Sequence, residues 1–216
     1  MALAFLIIFV KCGDDVYGED KAIEEFESHM AELTGKESAL FCLTGTMANF
    51  LAVISQCKPG EEVLVGDISH LGRYEQGNVS RFGAIPFRAI PTQSDGSLSL
   101  GDIQKFGYFA NDDFHMSHTT LVSLENTHNY LGGIPLEMGY LEELGNLKDN
   151  LGFGVHTDGA RLINGAISLR KPLAELCQFS DTVSMCFTKG LGCPFGAVLV
   201  GNKNLHVFVY TVVLTA

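Results

Sequence analysis

A lysine ahead of a glycine-leucine-glycine run is the first residue here that could do chemistry. Thr188-Lys189-Gly190-Leu191-Gly192 follows Thr182 to Phe187, a short apolar stretch that reads as a buried strand. A lysine at the end of such a strand is costly unless its charge is solvated, paired or lost. Desolvated and near other cations, its amine becomes a nucleophile able to form a Schiff base. The flanking glycines would let a ligand approach closely. A lysine in an exposed glycine-rich turn would look the same, so this segment decides nothing alone.

Three further places carry reactive side chains. Asp158-Gly159-Ala160-Arg161 follows the stretch Phe153 to Thr157. A carboxylate there can pair with a protonated ring nitrogen, and Arg161, three residues on, can reach the same ligand; a local Asp–Arg pair or a turn cap is the plain alternative. Thr44-Gly45-Thr46 follows Ser38 to Leu43 and opens a helix. Free N–H groups, hydroxyls and a glycine make a phosphate cup, although an ordinary N-cap uses the same residues. His70, in Asp67-Ile68-Ser69-His70, and His128, in Glu125-Asn126-Thr127-His128-Asn129, also follow strands. Each could stack on an aromatic cofactor or move a proton, or be a satisfied structural histidine. His29, His115, His118, His156 and His206 lack such a context. With no H-E-x-x-H and no Cys/His cluster, no metal site is expected.

The elements that must position these residues are legible in outline. Ile23, Phe26, Met30 and Leu33 recur at helical spacing over residues 20–34, with Asp20 able to cap the start and Gly35 to end the helix. Further helices are expected over 47–56, 136–151 and 172–179. Strands are expected over 38–43, 62–65, 83–90, 119–124, 153–157, 182–187 and 195–200, and a surface loop over 106–117. Strands alternating with helices imply an α/β fold with a largely parallel sheet, in which ligands bind beyond the carboxyl ends of the strands. Taken together, a phosphate cup, a carboxylate, an arginine, histidines and a lysine at successive strand ends are the parts of a pyridoxal 5'-phosphate (PLP) site.

Composition bounds the alternatives. Of 216 residues, 46 % are hydrophobic and 18 % charged, which suits a globular domain with a core. The net charge of -11 argues against a nucleic-acid partner. The six cysteines (Cys12, Cys42, Cys57, Cys177, Cys186 and Cys193) include no C-x-x-C pair and read as reduced core thiols of an intracellular, cytoplasmic protein. Met1 to Val10 and Leu205 to Ala216 are apolar, yet each is too short to span a bilayer as a helix.

Five runs carry a family resemblance: Gly13-Asp14-Asp15-Val16-Tyr17-Gly18-Glu19-Asp20, Thr44-Gly45-Thr46-Met47-Ala48-Asn49, Glu125-Asn126-Thr127-His128-Asn129, His156-Thr157-Asp158-Gly159-Ala160-Arg161 and Phe187-Thr188-Lys189-Gly190-Leu191-Gly192. In order and spacing, from about Gly13 to Asn202, the chain resembles the low-specificity L-threonine aldolases. The resemblance implies the three-layer, mostly parallel large domain of a fold-type-I PLP enzyme that cleaves threonine or allo-threonine to glycine and acetaldehyde. It implies an aldimine on Lys189, Asp158 at the ring nitrogen and His70 stacked on the ring. It also implies proton transfer by His70 or His128, Arg161 at the ring oxygen, Gly45 and Thr46 at the phosphate, and Tyr17 near the site. An amino-acid substrate and a homodimer or homotetramer go with it.

The resemblance departs at both ends. An atypical segment (1–12) stands where the family carries Arg-Ser-Asp-Thr. A divergent tail (204–216) stands where it continues into a small domain bearing a carboxylate-binding arginine. A large PLP-binding domain over 13–203, in a form shortened at both ends, is the expectation. The alternatives are another lyase or an aminotransferase on the same fold, and a fragment that binds PLP without turnover.

Overall fold

Alternation of apolar residues builds the sheet. In the computed structural model, which describes residues 13–110 and 113–205, seven strands form one sheet: β1 (Ser38–Cys42), β2 (Glu62–Gly66), β3 (Phe87–Ile90), β4 (Thr119–Glu125), β5 (Gly154–Asp158), β6 (Thr182–Cys186) and β7 (Ala197–Gly201). The segment 1–12, the tail from 206 on, Cys12 and His206 lie outside the described residues. The strand order is β1-β7-β6-β5-β4-β2-β3. Strands β2 to β6 run parallel, whereas β7 is antiparallel to both neighbours, with Val183 opposite Val200 and Ala39 opposite Val200 from the other side. Two reversals cancel, so β1 points the same way as β6. The carboxyl ends of β1, β2, β4, β5 and β6 therefore share one edge.

Helices cover both faces, giving the expected three layers. On one face lie α2 (Gly45–Ile54), α3 (His70–Arg73) and α4 (Asn78–Gly83), packed on Leu40, Val63, Val65, Leu121 and Leu199. On the other lie α1 (Lys21–Thr34), α5 (Leu100–Phe106), α6 (Met138–Leu151), α7 (Leu162–Leu169) and α8 (Leu173–Cys177). These bury Ala39, Leu64, Val122, Val155, Val183 and Val198, the opposite phase of the same strands.

Local chemistry sets the boundaries. The Asp20 carboxylate accepts the N–H groups of Ala22 and Ile23 to start α1, and Gly35 ends it at φ +66°, a left-handed conformation that glycine adopts without penalty. Thr44 Oγ1 accepts the N–H of Met47, so α2 begins at Gly45 and the expected turn at 44–46 is the first turn of the helix.

Several expectations need correction. Leu33 is 44 % exposed, and Thr34 is buried in its place because its hydroxyl donates back to the Met30 carbonyl at 2.7 Å. Residues 83–86 are not strand. Gly83 closes α4, Ala84 is left-handed at φ 53°, and the ladder starts only after Pro86. Phe106 belongs to α5, not to the expected loop, and α3, α4, α5 and α7 were not expected at all. Cys42, Cys57 and Cys177 are core thiols, pushed up to about 12 by burial, but Cys186 is half-exposed and Cys193 exposed. No helix among the described residues is long and apolar enough to cross a membrane.

Candidate active site

The shared strand edge holds a cavity of about 180 Å³. Gly45, Thr46 and Asn49 reach it from α2, His70 from the start of α3, Asp158 from the end of β5, Ser184 to Cys186 from β6, and Lys189 from the turn that follows. Five residues expected from sequence thus meet in one place: Gly45, Thr46, His70, Asp158 and Lys189. The helix α2 opens at this cavity, so the amides of its first turn face a ligand rather than a preceding carbonyl.

Asn49 is the centre of the polar floor. It sits in an otherwise apolar helix face and is 2 % exposed. Its Nδ2 donates to Glu75 Oε1 at 2.8 Å and to Asp158 Oδ2 at 2.9 Å. Its Oδ1 accepts from Ser184 Oγ at 2.6 Å and lies 3.2 Å from His156 Nε2. Carboxylates only accept, which fixes the orientation of the amide between Glu75 and Asp158. His156 must then carry its proton on Nε2, while its Nδ1 takes the hydroxyl of Thr182 at 2.9 Å and that oxygen in turn accepts from Gln56 at 2.7 Å. Fully buried, His156 is held neutral, its basicity pushed down by desolvation against the opposing pull of Asp158. His156, Thr182 and Ser184 lie on the sheet face that α2 covers, at the alternate positions to buried Val155 and Val183.

His70 is held at two points. Its backbone N–H donates to Glu125 Oε2 at 2.7 Å, and Glu125 Oε1 accepts the N–H of Asn129 at 2.9 Å, which ties the α3 start to the end of β4. Its Nδ1 faces Glu75 Oε1 at 3.1 Å and Asp158 Oδ2 at 3.8 Å. The Glu75 hydrogen bond raises the basicity of His70 above the ordinary histidine value, opposed by partial burial and by the charge of Lys189. Asp158 also accepts the N–H of Ala160 at 3.1 Å. Gly159 is obligatory here: a Cβ would stand 2.7 Å from the Ser184 carbonyl, because β5 and β6 pass close at this point.

The other sequence candidates sit apart. Arg161, at the N-cap of α7, lines an adjoining shallow cleft with Gly190 and Leu191. His128 is 1 % exposed and lines neither recess. Among the described residues neither of its ring nitrogens has a hydrogen-bond partner, and the Glu125 carboxylate lies 3.9 Å from Nε2. Tyr17 is 78 % exposed and does not line the cavity. Sequence reasoning missed Asn49 and Glu75 as site residues. The signal for Asn49 was present: one amide in an apolar helix face must find partners when buried.

The residues fit PLP by their chemistry. The cavity offers amides at a helix N-terminus for a phosphate, an anchored buried carboxylate for a ring nitrogen, and a lysine without an ion pair among the described residues. A cation is a weaker fit. His70, Glu75 and Asp158 place ligand atoms within 4.8 Å of one another, but the two N–H groups of Asn49 already fill the space between the carboxylates.

Comparison with known proteins agrees with this geometry. The low specificity L-threonine aldolase of Escherichia coli K12 is 40 % identical over 192 residues, covering 89 % of this chain and 56 % of that protein. Low-specificity L-threonine aldolase 1 of Arabidopsis thaliana is 38 % identical, covering 88 % and 54 %. The chain spans about half the length of the curated relatives it matches. Among solved structures, the Leishmania major threonine aldolase superposes with a TM-score of 0.81 at 24 % identity, covering 94 % of this chain and 58 % of that one, a likeness of fold. The sequence model of the beta-eliminating lyases matches residues 5–212, a wider span than the motif resemblance over 13–202. Since that match takes in all seven strands and every residue of the cavity, the chain belongs to the beta-eliminating lyase family.

Proposed function

We propose that the chain carries the PLP site of an aldolase that cleaves L-threonine or L-allo-threonine to glycine and acetaldehyde, within a large domain over 13–203. The observation that carries this reading is the convergence of Lys189, Asp158 and the first turn of α2 on one cavity. The threonine aldolase relatives at about 40 % identity support the choice of reaction.

When bound, PLP supplies an electron sink for the pair left on Cα as the Cα–Cβ bond breaks. The chain's own part is to hold and to move protons. Lys189 is the covalent anchor. The amides of Gly45 and Thr46, at the positive end of α2, would hold the phosphate. Asp158, fixed by Asn49 and by the Ala160 N–H, would keep a proton on the ring nitrogen. His70 would flank the ring, and Arg161, from its adjoining cleft, would contact the ring oxygen. His70 is the better-placed residue for proton transfer at the β-hydroxyl, because it lines the cavity; His128 serves that role only through an intervening group.

Exposed apolar side chains, among them Leu43 at 61 %, Leu191 at 51 % and Phe195 at 61 %, support a homodimer or homotetramer. Five free cysteines among the described residues support a reducing, cytoplasmic location.

The test is the absorption spectrum of the full chain with PLP, before and after Lys189→Ala, alongside release of glycine and acetaldehyde from threonine. The wild type gains the band of lysine-bound cofactor and the variant does not. A band that persists without Lys189 refutes the assignment. Turnover of serine or cysteine in place of threonine would move the activity to β-elimination on the same site.

A further inference from the structure

Glu75 occupies an unusual position for a carboxylate. It lies in the link between α3 and α4, and its side chain is 0 % exposed. Removing a carboxylate from water costs several kcal/mol unless a cation and hydrogen bonds compensate it. Among the described residues, neither a lysine nor an arginine pairs with it. Its Oε1 accepts from Asn49 at 2.8 Å and faces His70 Nδ1 at 3.1 Å, and its Oε2 accepts from Asn78 at 3.5 Å. Of these three partners only His70 can carry positive charge.

An ionised carboxylate can only accept a hydrogen bond, so the ring nitrogen facing it must bear hydrogen. Glu75 therefore selects the Nδ1–H form of His70 and leaves Nε2 as the nitrogen whose proton varies. The same amide of Asn49 that holds Glu75 holds Asp158, so the two carboxylates share one spacer.

Four charged or titratable groups surround the His70 ring. Glu75 comes from the α3–α4 link, and Asp158 from β5 at 3.8 Å. Lys189 comes from the turn after β6 and opposes protonation. Tyr74 lies beside the ring at 5.7 Å between centroids. Glu125, from β4, takes the backbone N–H.

We propose that Glu75 is a positioning residue of this site. By accepting the Nδ1 proton it fixes the tautomer of His70 and ties that ring's charge to a buried carboxylate. Through Asn49 it sets His70 and Asp158 relative to each other. This deepens the reading of the cavity as a PLP site and rests on it for its catalytic consequence, whereas the ring chemistry itself is testable without cofactor.

The experiment is an NMR titration of the full chain with isotopically labelled histidine, His70→Asn serving to assign the resonance. In the wild type the neutral ring is the Nδ1–H tautomer. In Glu75→Gln the amide oxygen can keep the hydrogen bond but the charge is gone: the tautomer persists and the midpoint falls by about one pH unit. In Glu75→Ala both are lost, and the ring reverts toward the tautomer of free histidine. An unchanged tautomer and midpoint across the variants overturns the proposal. If Glu75→Ala does not fold, the midpoint in Glu75→Gln decides.

The second readout uses the PLP-loaded chain. Glu75→Gln keeps the lysine-bound absorption band, while the acid limb of the pH–rate profile moves down with the His70 midpoint. A limb that stays in place while the midpoint moves overturns the catalytic role. Failure of the wild-type chain to bind PLP would instead refute the proposed function and leave the titration result standing.

Discussion

Replacing Asn49 with alanine removes the spacer between two buried carboxylates. Asn49 makes four hydrogen bonds, two to Glu75 and Asp158 and two with Ser184 and His156. Hydrogen bonds to charged groups contribute about 1.5–3 kcal/mol each and neutral ones about 0.5–1.5 kcal/mol, so the loss is bounded at about 9 kcal/mol. Asn49 lines the cavity, so water can enter and re-solvate part of what the amide held. The expected net loss is about 3 kcal/mol, which for a domain of this size lowers the unfolding midpoint by about 6–12 °C. Urea unfolding of the wild type and of Asn49→Ala measures it, with Asn164→Ala, an exposed position, as the control. Asn49→Asp should be worse than alanine, because it sets a third carboxylate between the first two. A loss below about 1 kcal/mol in Asn49→Ala, or a stable Asn49→Asp, would show that the amide does not join these groups.

Two further outcomes follow from the same region. His156 is depressed to about 4 by burial, so below the ordinary value of 6.5 the unfolded chain takes a proton that the folded chain refuses. Its contribution is complete above pH 6.5 and falls by about 3 kcal/mol as pH drops toward 4; a urea midpoint whose decline over this window is the same in His156→Gln would contradict it. Gly96 has φ +85°, and a Cβ there would stand 2.9 Å from the Cβ of His128. Gly96→Ala should therefore cost about 2–3 kcal/mol through backbone strain and displacement of His128, and a neutral result in thermal unfolding would refute that packing.

The sequence was most legible where local chemistry decides the structure. Asp20 and Gly35 bound α1 because a side-chain acceptor and a left-handed glycine act within a few residues. The strands were legible because alternation survives burial on both faces. What failed depended on distance in the chain. α7 contains Asn164 and Gly165, poor helix residues, and is held by packing of Gly165 against Thr127 and Pro135. The segment around Glu75 has no periodicity, and its meaning comes from Asn49, a separate helix. Lys189, Asp158 and the Thr44–Thr46 turn each looked ambiguous, and shared strand direction is what brings them together. Arg161 and His128 were candidates beside them, yet neither lines the main cavity.

The reversed strand β7 also imposes an order of assembly. Among the described residues β1 joins the sheet only through β7, with Cys42 opposite Ala197. On a ribosome, β1 emerges on the order of 150 residues before this partner strand. At about 5–20 residues per second that is a wait of roughly 8–30 s. Through this interval the described residues offer Leu40 and Phe41 no ladder to join, and the first turn of α2 lacks the Lys189 side of its cavity. The cavity is complete only once Lys189, a few residues before β7, has been made. A nascent chain therefore gains nothing from the cofactor until nearly all of the sheet has emerged, and the first-made strand is the one most in need of protection from other chains.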